Sequence, residues 1–516
     1  MSQYKWKRNV IQTAFWMAIL TLASKGLGFL REMAMASFFG TSFVVDAYVM
    51  SQAIPGILFA ALIYAIATAY MPLLSEKMEN VGEKAGWIFT SQVIRILLVF
   101  SCISSLFGIL FSDVLVSFFA PGFEGETARL TGFFLRITFS YIIFYSVSGI
   151  WDYYLQYKGT FIPQIIIGYT QNFVLITVII VSALTSYYFL AFGALIAHCV
   201  RMIITGVLAR RKGFRYQRRG QDVKATIKKI TILGIPVFVG SQIQQINIFV
   251  DKSLASGLRE GSMAALNYAS ILNVLIMSLT ITVLTTLIYP RLNRASARDE
   301  MGEFGSLMQR GLVMVVLVAL PFSLGAMVYS SEMVQVVYER GAFDVSATSL
   351  TTLAYFYYSI GLVFMSINDL MLRGYYALHD MKTPMIFAGI SVGVNIVLNL
   401  LLVGPMAHGG LALATSIAAM VNSVLLVTGF RRKGLEVPLV ADKGKYVKII
   451  GASFVSVGLS KGLFELLIAS IWMPRMLYLG ASVLAAVGIY WALLKLLRVE
   501  EIDLVKRLFQ RGHGES

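Results

Sequence analysis

Charge is scarce in this chain: 14% of its 516 residues are Asp, Glu, Lys or Arg, against roughly 25% in a soluble domain. With 57% hydrophobic residues and a mean hydropathy of +0.74, that scarcity excludes water as the main solvent. Cysteine is nearly absent too. Cys102 and Cys199 both lie inside apolar runs, which leaves neither a disulfide framework nor a cysteine-based metal site. The histidines, His198, His379, His408 and His513, are scattered without metal-ligand spacing. There is no phosphate-binding glycine loop, no Ser/His/Asp arrangement, and no hydrophilic stretch long enough to house a soluble catalytic domain. Bond-breaking chemistry has no seat here, so an enzyme is not expected.

What the chain has instead is apolar length. Runs of about 20 residues, enough to cross a hydrocarbon core of ~30 Å, recur about 14 times with short polar breaks. The first run follows Lys5, Lys7 and Arg8; it is too long for a signal-peptide core and lacks a small-residue cleavage site, so it reads as a retained span. The net charge of +16 resides mostly in alternate loops and the two tails, which hold about 32 of the basic residues. The other loops hold only Arg129, Arg259, Arg340 and Arg475. This positive-inside pattern puts both termini in the cytoplasm. The runs Arg210-Arg211-Lys212 and Arg431-Arg432-Lys433 then serve as anchors on anionic membrane lipids, not as nucleic-acid sites.

The fold class that follows is an all-α polytopic membrane protein of about 14 transmembrane helices. Its loops divide it into an N-terminal six-helix lobe, residues 1–212, a C-terminal six-helix lobe, 213–435, and two additional helices with a cytoplasmic tail, 436–516. The two lobes are copies at an offset of about 220 residues. Tyr48 falls on Tyr268, Pro72 near Pro290, Pro121-Gly122-Phe123 on Gly341-Ala342-Phe343, and Tyr154 with Pro163 on Tyr375 with Pro384. An even number of spans per copy makes the repeat parallel, the plan of transporters that rock two lobes about a midplane site.

A charge at mid-bilayer costs about 2.5 to 3.5 kcal/mol on the gentler scale, so interior charges mark function or pairing. The first span carries Lys25, Arg31 and Glu32, and the seventh carries Asp251 and Lys252. At the repeat offset Arg31 aligns with Asp251 and Glu32 with Lys252, and Asp152 with Arg373 repeats the relation on spans four and ten. Two readings stand side by side: interlobe salt bridges, which could also break and re-form as a gate, or a cavity in which Lys25, Arg31 and Lys252 receive an anionic headgroup. Asp46 opens the second span, as a helix cap or as part of that site. Asn395 and Asn399 are one turn apart on one face. They form an interhelical hydrogen-bond pair, or else join Asp251 and Thr415 as oxygen ligands for a coupling cation such as sodium. Arg95, Arg136 and Arg201 lie near span ends, where snorkelling explains them, and Lys461 with Glu465 makes an i, i+4 pair.

Ser24-Lys25-Gly26-Leu27-Gly28-Phe29-Leu30-Arg31-Glu32, then Phe39-Gly40 and Asp46-Ala47, resemble the N-terminal signature of the MurJ/MviN family of lipid II flippases. Leu254-Ala255-Ser256-Gly257, Leu266-Asn267-Tyr268-Ala269, Tyr338-Glu339-Arg340-Gly341-Ala342-Phe343 and Lys382-Thr383-Pro384 resemble the same family in order. The resemblance implies the fold of the multidrug/oligosaccharidyl-lipid/polysaccharide exporter superfamily, with the two extra helices flanking a lipid-facing groove. It implies a flippase that carries undecaprenyl-pyrophosphate-linked peptidoglycan precursor from the inner to the outer leaflet, in contact with cell-wall synthesis machinery. Arg31 and Lys25 match basic cavity positions, Asp46 matches an acidic one, and Asp251, Asn395, Asn399 and Thr415 match positions tied to a cation site in some members. Two departures are Phe59 and Ile271, where the family often has arginine.

A headgroup of sugars, peptide and pyrophosphate cannot cross hydrocarbon bare, whereas a polyprenyl tail can stay in lipid. The expected cycle admits the headgroup through a lateral gap, with the tail along spans thirteen and fourteen, and then inverts the lobes. Other readings are a flippase for another polyprenyl-linked saccharide, a cation-coupled small-molecule exporter, and a non-transporting scaffold.

Overall fold

The computed structural model describes residues 2–160, 162–218, 223–432, 443–470 and 474–499; Lys433 of the second basic run and the tail from residue 500 lie outside them. All regular elements among the described residues are helical. The first copy runs α1 (Ser2–Phe39), α2 (Phe43–Pro55), a π-helical turn (Gly56–Ala60), α3 (Ala61–Asn80), α4 (Glu83–Leu110), α5 (Ser112–Phe119), α6 (Gly125–Tyr157), α7 (Ile162–Leu184), a 3-10 turn (Tyr187–Phe189) and α8 (Leu190–Arg211). The second runs α9 (Val223–Ser256), α10 (Ser262–Ala297), α11 (Met301–Val328), α12 (Ser330–Tyr338), α13 (Val345–Ala377) and α14 (Lys382–Arg432). Two helices follow, α15 (Lys443–Ser470) and α16 (Arg475–Leu496).

Among the described residues nine helices are long and apolar enough to cross a membrane, or ten if α2 and α3, bent by 46°, count as one span. That is fewer than the fourteen expected. Part of the difference is α14, 51 residues long and counted once, although Ala407 breaks it at φ 49, ψ −133. Pro405 lies two residues before the break and cannot donate the amide bond that would carry the helix through.

The repeat is visible in element lengths and in individual bonds. Helices α4 and α11 have 28 residues each, and α6 and α13 have 33 each. Ser105 Oγ donates to the Phe139 carbonyl at 2.7 Å, and Ser323 Oγ donates to the Ser359 carbonyl at 2.5 Å. Both partners of the second bond sit near the repeat offset from those of the first. The copies differ where Pro55 ends α2 and the chain passes through the π-helical turn into α3, because α10 runs on without a break over the equivalent stretch.

The chain divides into two compact units, one of residues 1–264 with 340–343 and the other of 265–339 with 344–516. In the first, Tyr70, Phe89, Val93, Leu97, Ile150 and Tyr154 fill the core between α3, α4 and α6. Tyr70 stacks on Phe89 at 5.6 Å, and its hydroxyl lies 2.8 Å from Thr90 Oγ1. Lipid tails offer no hydrophobic drive for helices to associate, so close approach at small residues does the work. A Cβ on Gly108 of α4 would lie 2.0 Å from the Phe139 ring of α6. In the second unit Phe304, Met308, Leu312, Leu370, Tyr375 and Phe430 form the core. Tyr375, the repeat mate of Tyr154, is fully buried and donates to the Leu426 carbonyl at 2.9 Å. Helices α15 and α16 join this unit along α11, where Ile449, Ala452 and Leu494 pack on Val313, Val316 and Leu317.

Candidate functional site

The first polar locus lies on α1. Arg31 forms an ion pair with Glu32, its chain neighbour, and its Nη1 donates to Asn172 Oδ1 of α7 at 3.3 Å. Asn172 is itself held, donating to the Gly168 carbonyl at 3.0 Å and the Ser24 carbonyl at 3.3 Å. Helices α1 and α7 come close enough for this because a Cβ on Gly168 would meet Ser24 Oγ at 2.5 Å. The Arg31 side chain keeps 31% of its surface, and Lys25, six residues earlier, is exposed. Six residues span about 9 Å of helix, so two cations lie along α1 with one of them steadied by an amide. Asn172 is absent from the sequence reading. Its signal was the pair of adjacent amides, Gln171-Asn172, inside the apolar run of α7.

The second locus is a latch within the first unit. Asp46, 3% exposed, accepts the Gly261 amide on Oδ2 and the Ala264 amide on Oδ1, each at 2.7 Å. It therefore caps the first turn of α10, whose leading amides have no partners in their own helix. Glu260 reciprocates: its Oε1 accepts the Phe43 amide, at the first turn of α2, at 2.9 Å. Backbone meets backbone around these caps. The Ala342 amide donates to the Ser37 carbonyl at 2.8 Å, and the Gly122 amide donates to Ser256 Oγ at 3.2 Å. Gly40, Gly261 and Gly341 adopt φ of 57°, 84° and 59°. A Cβ on them would lie 2.4, 2.3 and 2.3 Å from the carbonyl oxygens of Ala342, Thr41 and Ser37. Side chains are excluded from this seam twice over, by conformation and by space.

The expected charge pairs are arranged differently in this conformation. Arg31 takes Glu32 and not Asp251, since a neighbour on the same helix is already within reach of its fork. Asp251 accepts from Asn247 Nδ2, one turn back, at 3.3 Å. Lys252 lies within electrostatic reach of Asp251 and Asp46. Asp152 and Arg373 are each neutralised locally, Asp152 by Arg201 at 2.5 Å and Arg373 by Asp369, its i−4 neighbour, at 3.3 Å. Arg136 and Arg201, read as snorkelling, are both paired; Arg136 holds Asp113 at 2.8 Å. Lys461 bridges Glu332 of α12 as well as Glu465.

The third locus is in the second unit. Asn399 Nδ2 donates to Asn395 Oδ1 at 2.8 Å, and Asn395 Nδ2 reaches Thr415 Oγ1 at 3.5 Å. Both asparagines are buried, at 2% and 0% exposure. The bend at Ala407 folds the arms of α14 back so that these three side chains meet. Asp251, the fourth proposed ligand, belongs to the other unit, on α9. No cluster of three or more His, Cys, Asp or Glu occurs among the described residues. The same unit also contains an apolar cavity of about 340 Å³, bounded by Leu317 and Pro321 of α11, Tyr329, Val457 of α15, and Val483 and Tyr490 of α16.

Long apolar helices in two sequence-related copies, with charged side chains at a few interior positions, make this a polytopic membrane protein. The family model described as "Lipid II flippase MurJ" matches residues 35–490, and the chain belongs to that family. Among curated relatives, a probable lipid II flippase MurJ of Rhizobium meliloti (strain 1021) is 28% identical over 96% of this chain and 95% of its own length. The lipid II flippase MurJ of Burkholderia cenocepacia is 25% identical over 87% of this chain and 89% of its own. A solved structure of a lipid II flippase MurJ in an inward closed conformation superposes with a TM-score of 0.81 at 23% identity, over 95% of this chain and 100% of that one. An inward-facing multidrug-resistance MATE transporter superposes at 0.67 with 12% identity, over 81% of this chain and 96% of the other. At those identities the structural likeness shows the fold.

Proposed function

We propose that the chain translocates undecaprenyl-pyrophosphate-linked peptidoglycan precursor, lipid II, across the bacterial inner membrane by alternating access, breaking no bond. The observation that carries this reading is the family match over residues 35–490, and the α1 locus supplies its physical content. Lys25 and the fork of Arg31 can each meet a phosphate oxygen, and Asn172 holds the fork in place. The charges at the ends of the basic loops put the termini in the cytoplasm. The latch around Asp46 then lies on the outer face, which is the face an inward-open carrier must close. The cavity on α11, α15 and α16 is nearly all apolar and suits a polyprenyl chain. A coupling cation such as sodium, and contacts with the cell-wall synthesis machinery, belong to the same reading.

One observation favours a second cargo, another polyprenyl-linked saccharide. Phe59 packs edge-on against Phe100 and Phe139, each at 5.9 Å, so an aromatic cluster stands where relatives of this family often carry a cation. Depletion in the native host distinguishes the two. Lipid II accumulating on the cytoplasmic leaflet supports the first reading, and accumulation of a different lipid-linked saccharide with lipid II unchanged supports the second.

A further inference from the structure

A buried polar string in the first copy takes no part in the translocation scheme. On α6, Tyr141, Tyr145 and Asp152 stand at i, i+4 and i+11 and share one face. On α8, His198 and Arg201 stand at i and i+3. The His198 ring stacks on Tyr141 at 4.6 Å and meets Tyr145 edge-on at 5.3 Å. Arg201 lies over Tyr145 at 5.8 Å and bridges Asp152 through Nη2 at 2.5 Å. From Tyr141 to Asp152 the string covers about 16 Å of helix. It runs from the middle of α6 toward the end where Lys158 pairs with Glu83.

Three atoms of this string are buried without a hydrogen-bond partner: Asp152 Oδ1, Arg201 Nε and His198 Nδ1. Asp152 is 6% exposed and His198 9%. A buried polar atom left unpaired costs about 1 to 3 kcal/mol, and a buried ion pair is at best a weak stabiliser. Three such atoms around one bridge are therefore a poor way to hold two helices together. Their chemistry narrows what they can take. A metal cation would sit against the Arg201 guanidinium with a single carboxylate to hold it, and an anion would sit against Asp152. A proton makes neither demand, because it needs only the free oxygen.

We propose that Asp152, Arg201 and His198 form a proton-binding site within α6 and α8, in which Asp152 Oδ1 takes one proton from the aqueous phase and the Arg201 bridge is thereby released. An O–H bond of a hydronium ion breaks as the Asp152 O–H bond forms, a water molecule is left behind, and the pair passes from neutral to a charge of +1. Freed guanidinium N–H groups then face Tyr145 and the tyrosine-rich face of α6. The titratable groups around the pair are His198 on α8 and Tyr145 and Tyr153 on α6; beyond them Tyr48 of α2 faces Tyr141, and Tyr64 of α3 faces Tyr153. Helix α4 contributes Ser101, hydrogen-bonded to Ser146 at 3.3 Å. In the second copy Arg373 pairs with Asp369 of its own helix, and both side chains are more exposed than those of the Arg201 bridge. The site thus belongs to one lobe. As an energy-coupling device it rests on the transport reading, whereas its occupancy by a proton does not.

The test is a pH titration of the full chain in phosphatidylethanolamine/phosphatidylglycerol vesicles, followed by difference infrared spectroscopy of the protonated-carboxyl C=O stretch. A titrating band is expected in the wild type and in D369N, and it is lost in D152N. The D152N/R201Q variant, which keeps the charge balance, carries the comparison if D152N alone fails to fold; it too lacks the band. The absence of any titrating carboxyl band in the wild type, or its survival in both Asp152 variants, overturns the proposal and leaves the bridge inert. Lipid accumulation on depletion is scored separately, so failure of the proton site and failure of the transport reading give different results.

Discussion

Replacing Asp46 by asparagine should unlatch the seam around α2 and the first turn of α10 while leaving the protein inserted. The carboxylate accepts two amide bonds of 2.7 Å from a site 3% exposed. Asparagine offers one oxygen, and its NH2 group must then face the second amide, donor against donor. Hydrogen bonds to a charged group contribute about 1.5 to 3 kcal/mol each, and a buried donor left unpaired costs about 1 to 3 kcal/mol. Exchange of one bond for a donor clash therefore weakens the closed seam by about 2.5 to 6 kcal/mol, roughly 70- to 26,000-fold in the open population at 1.36 kcal/mol per decade. Ser262, 1% exposed in the seam, is the reporter. As the single cysteine in a background without Cys102 and Cys199, it should react with a membrane-impermeant maleimide faster by at least tenfold in D46N. E260Q removes the charge from a single bond of 2.9 Å made by an exposed residue and should raise the rate less than threefold. Equal labelling rates in D46N and the parent would show that the caps do not hold the seam shut.

Other perturbations separate the loci. R31A should abolish complementation of a flippase-depleted host with normal membrane levels, and R31K should restore a fraction, because a point charge replaces a planar fork. N172A should lower transport about tenfold and less than R31A, since it frees the fork without removing the charge; complementation at wild-type level would remove Asn172 from the site. If sodium binds through Asp251, Asn395, Asn399 and Thr415, thermal stability should rise logarithmically with sodium and not with choline, and D251N should erase the response. V457W should fill the apolar cavity on α11, α15 and α16 and slow transport of a long-chain lipid more than that of a short-chain analogue; equal effects on both would place the tail elsewhere.

The sequence carries the helical class and the repeat plainly, because hydrophobic length and a fixed offset are one-dimensional signals. Ser105 and Ser323, which reach equivalent carbonyls in the two copies, lie outside the matched anchors yet obey the same offset. The partners of interior charges were less legible. The offset matched Asp152 with Arg373, but Asp152 bridges Arg201 because α8 packs on α6, a relation that spacing along the chain does not encode. Asn172 was passed over for a related reason: beside Gln171 in an apolar helix it stands out only when its partner is known, and Arg31 lies 141 residues away. Asp46 was readable as a cap. That it caps a helix of the other copy, 215 residues on, was not.

The seam and the interior follow different rules of symmetry, and this bears on what can vary in the family without loss of the cycle. The Ala342-to-Ser37 amide bond and the contact of Gly122 with Ser256 and Gly257 map onto each other at the repeat offset. Both depend on main-chain atoms and small residues. A closure built from backbone is indifferent to cargo and tolerates change elsewhere, provided the glycines stay. The interior is not symmetric: Arg31 of the first copy stands where the second has Asp251, Asp152 stands where the second has Arg373, and Asn395, Asn399 and Thr415 lie on α14, the counterpart of α7 and α8, at positions where the first copy is apolar. Closing would then be a property of the repeat, whereas the cations and amides proposed to meet a headgroup or an ion are set copy by copy. Exchange of Phe59 for arginine should then alter which saccharide is carried while Ser262 labelling in the seam stays unchanged. A parallel change in both would mean that closure reads the cargo after all.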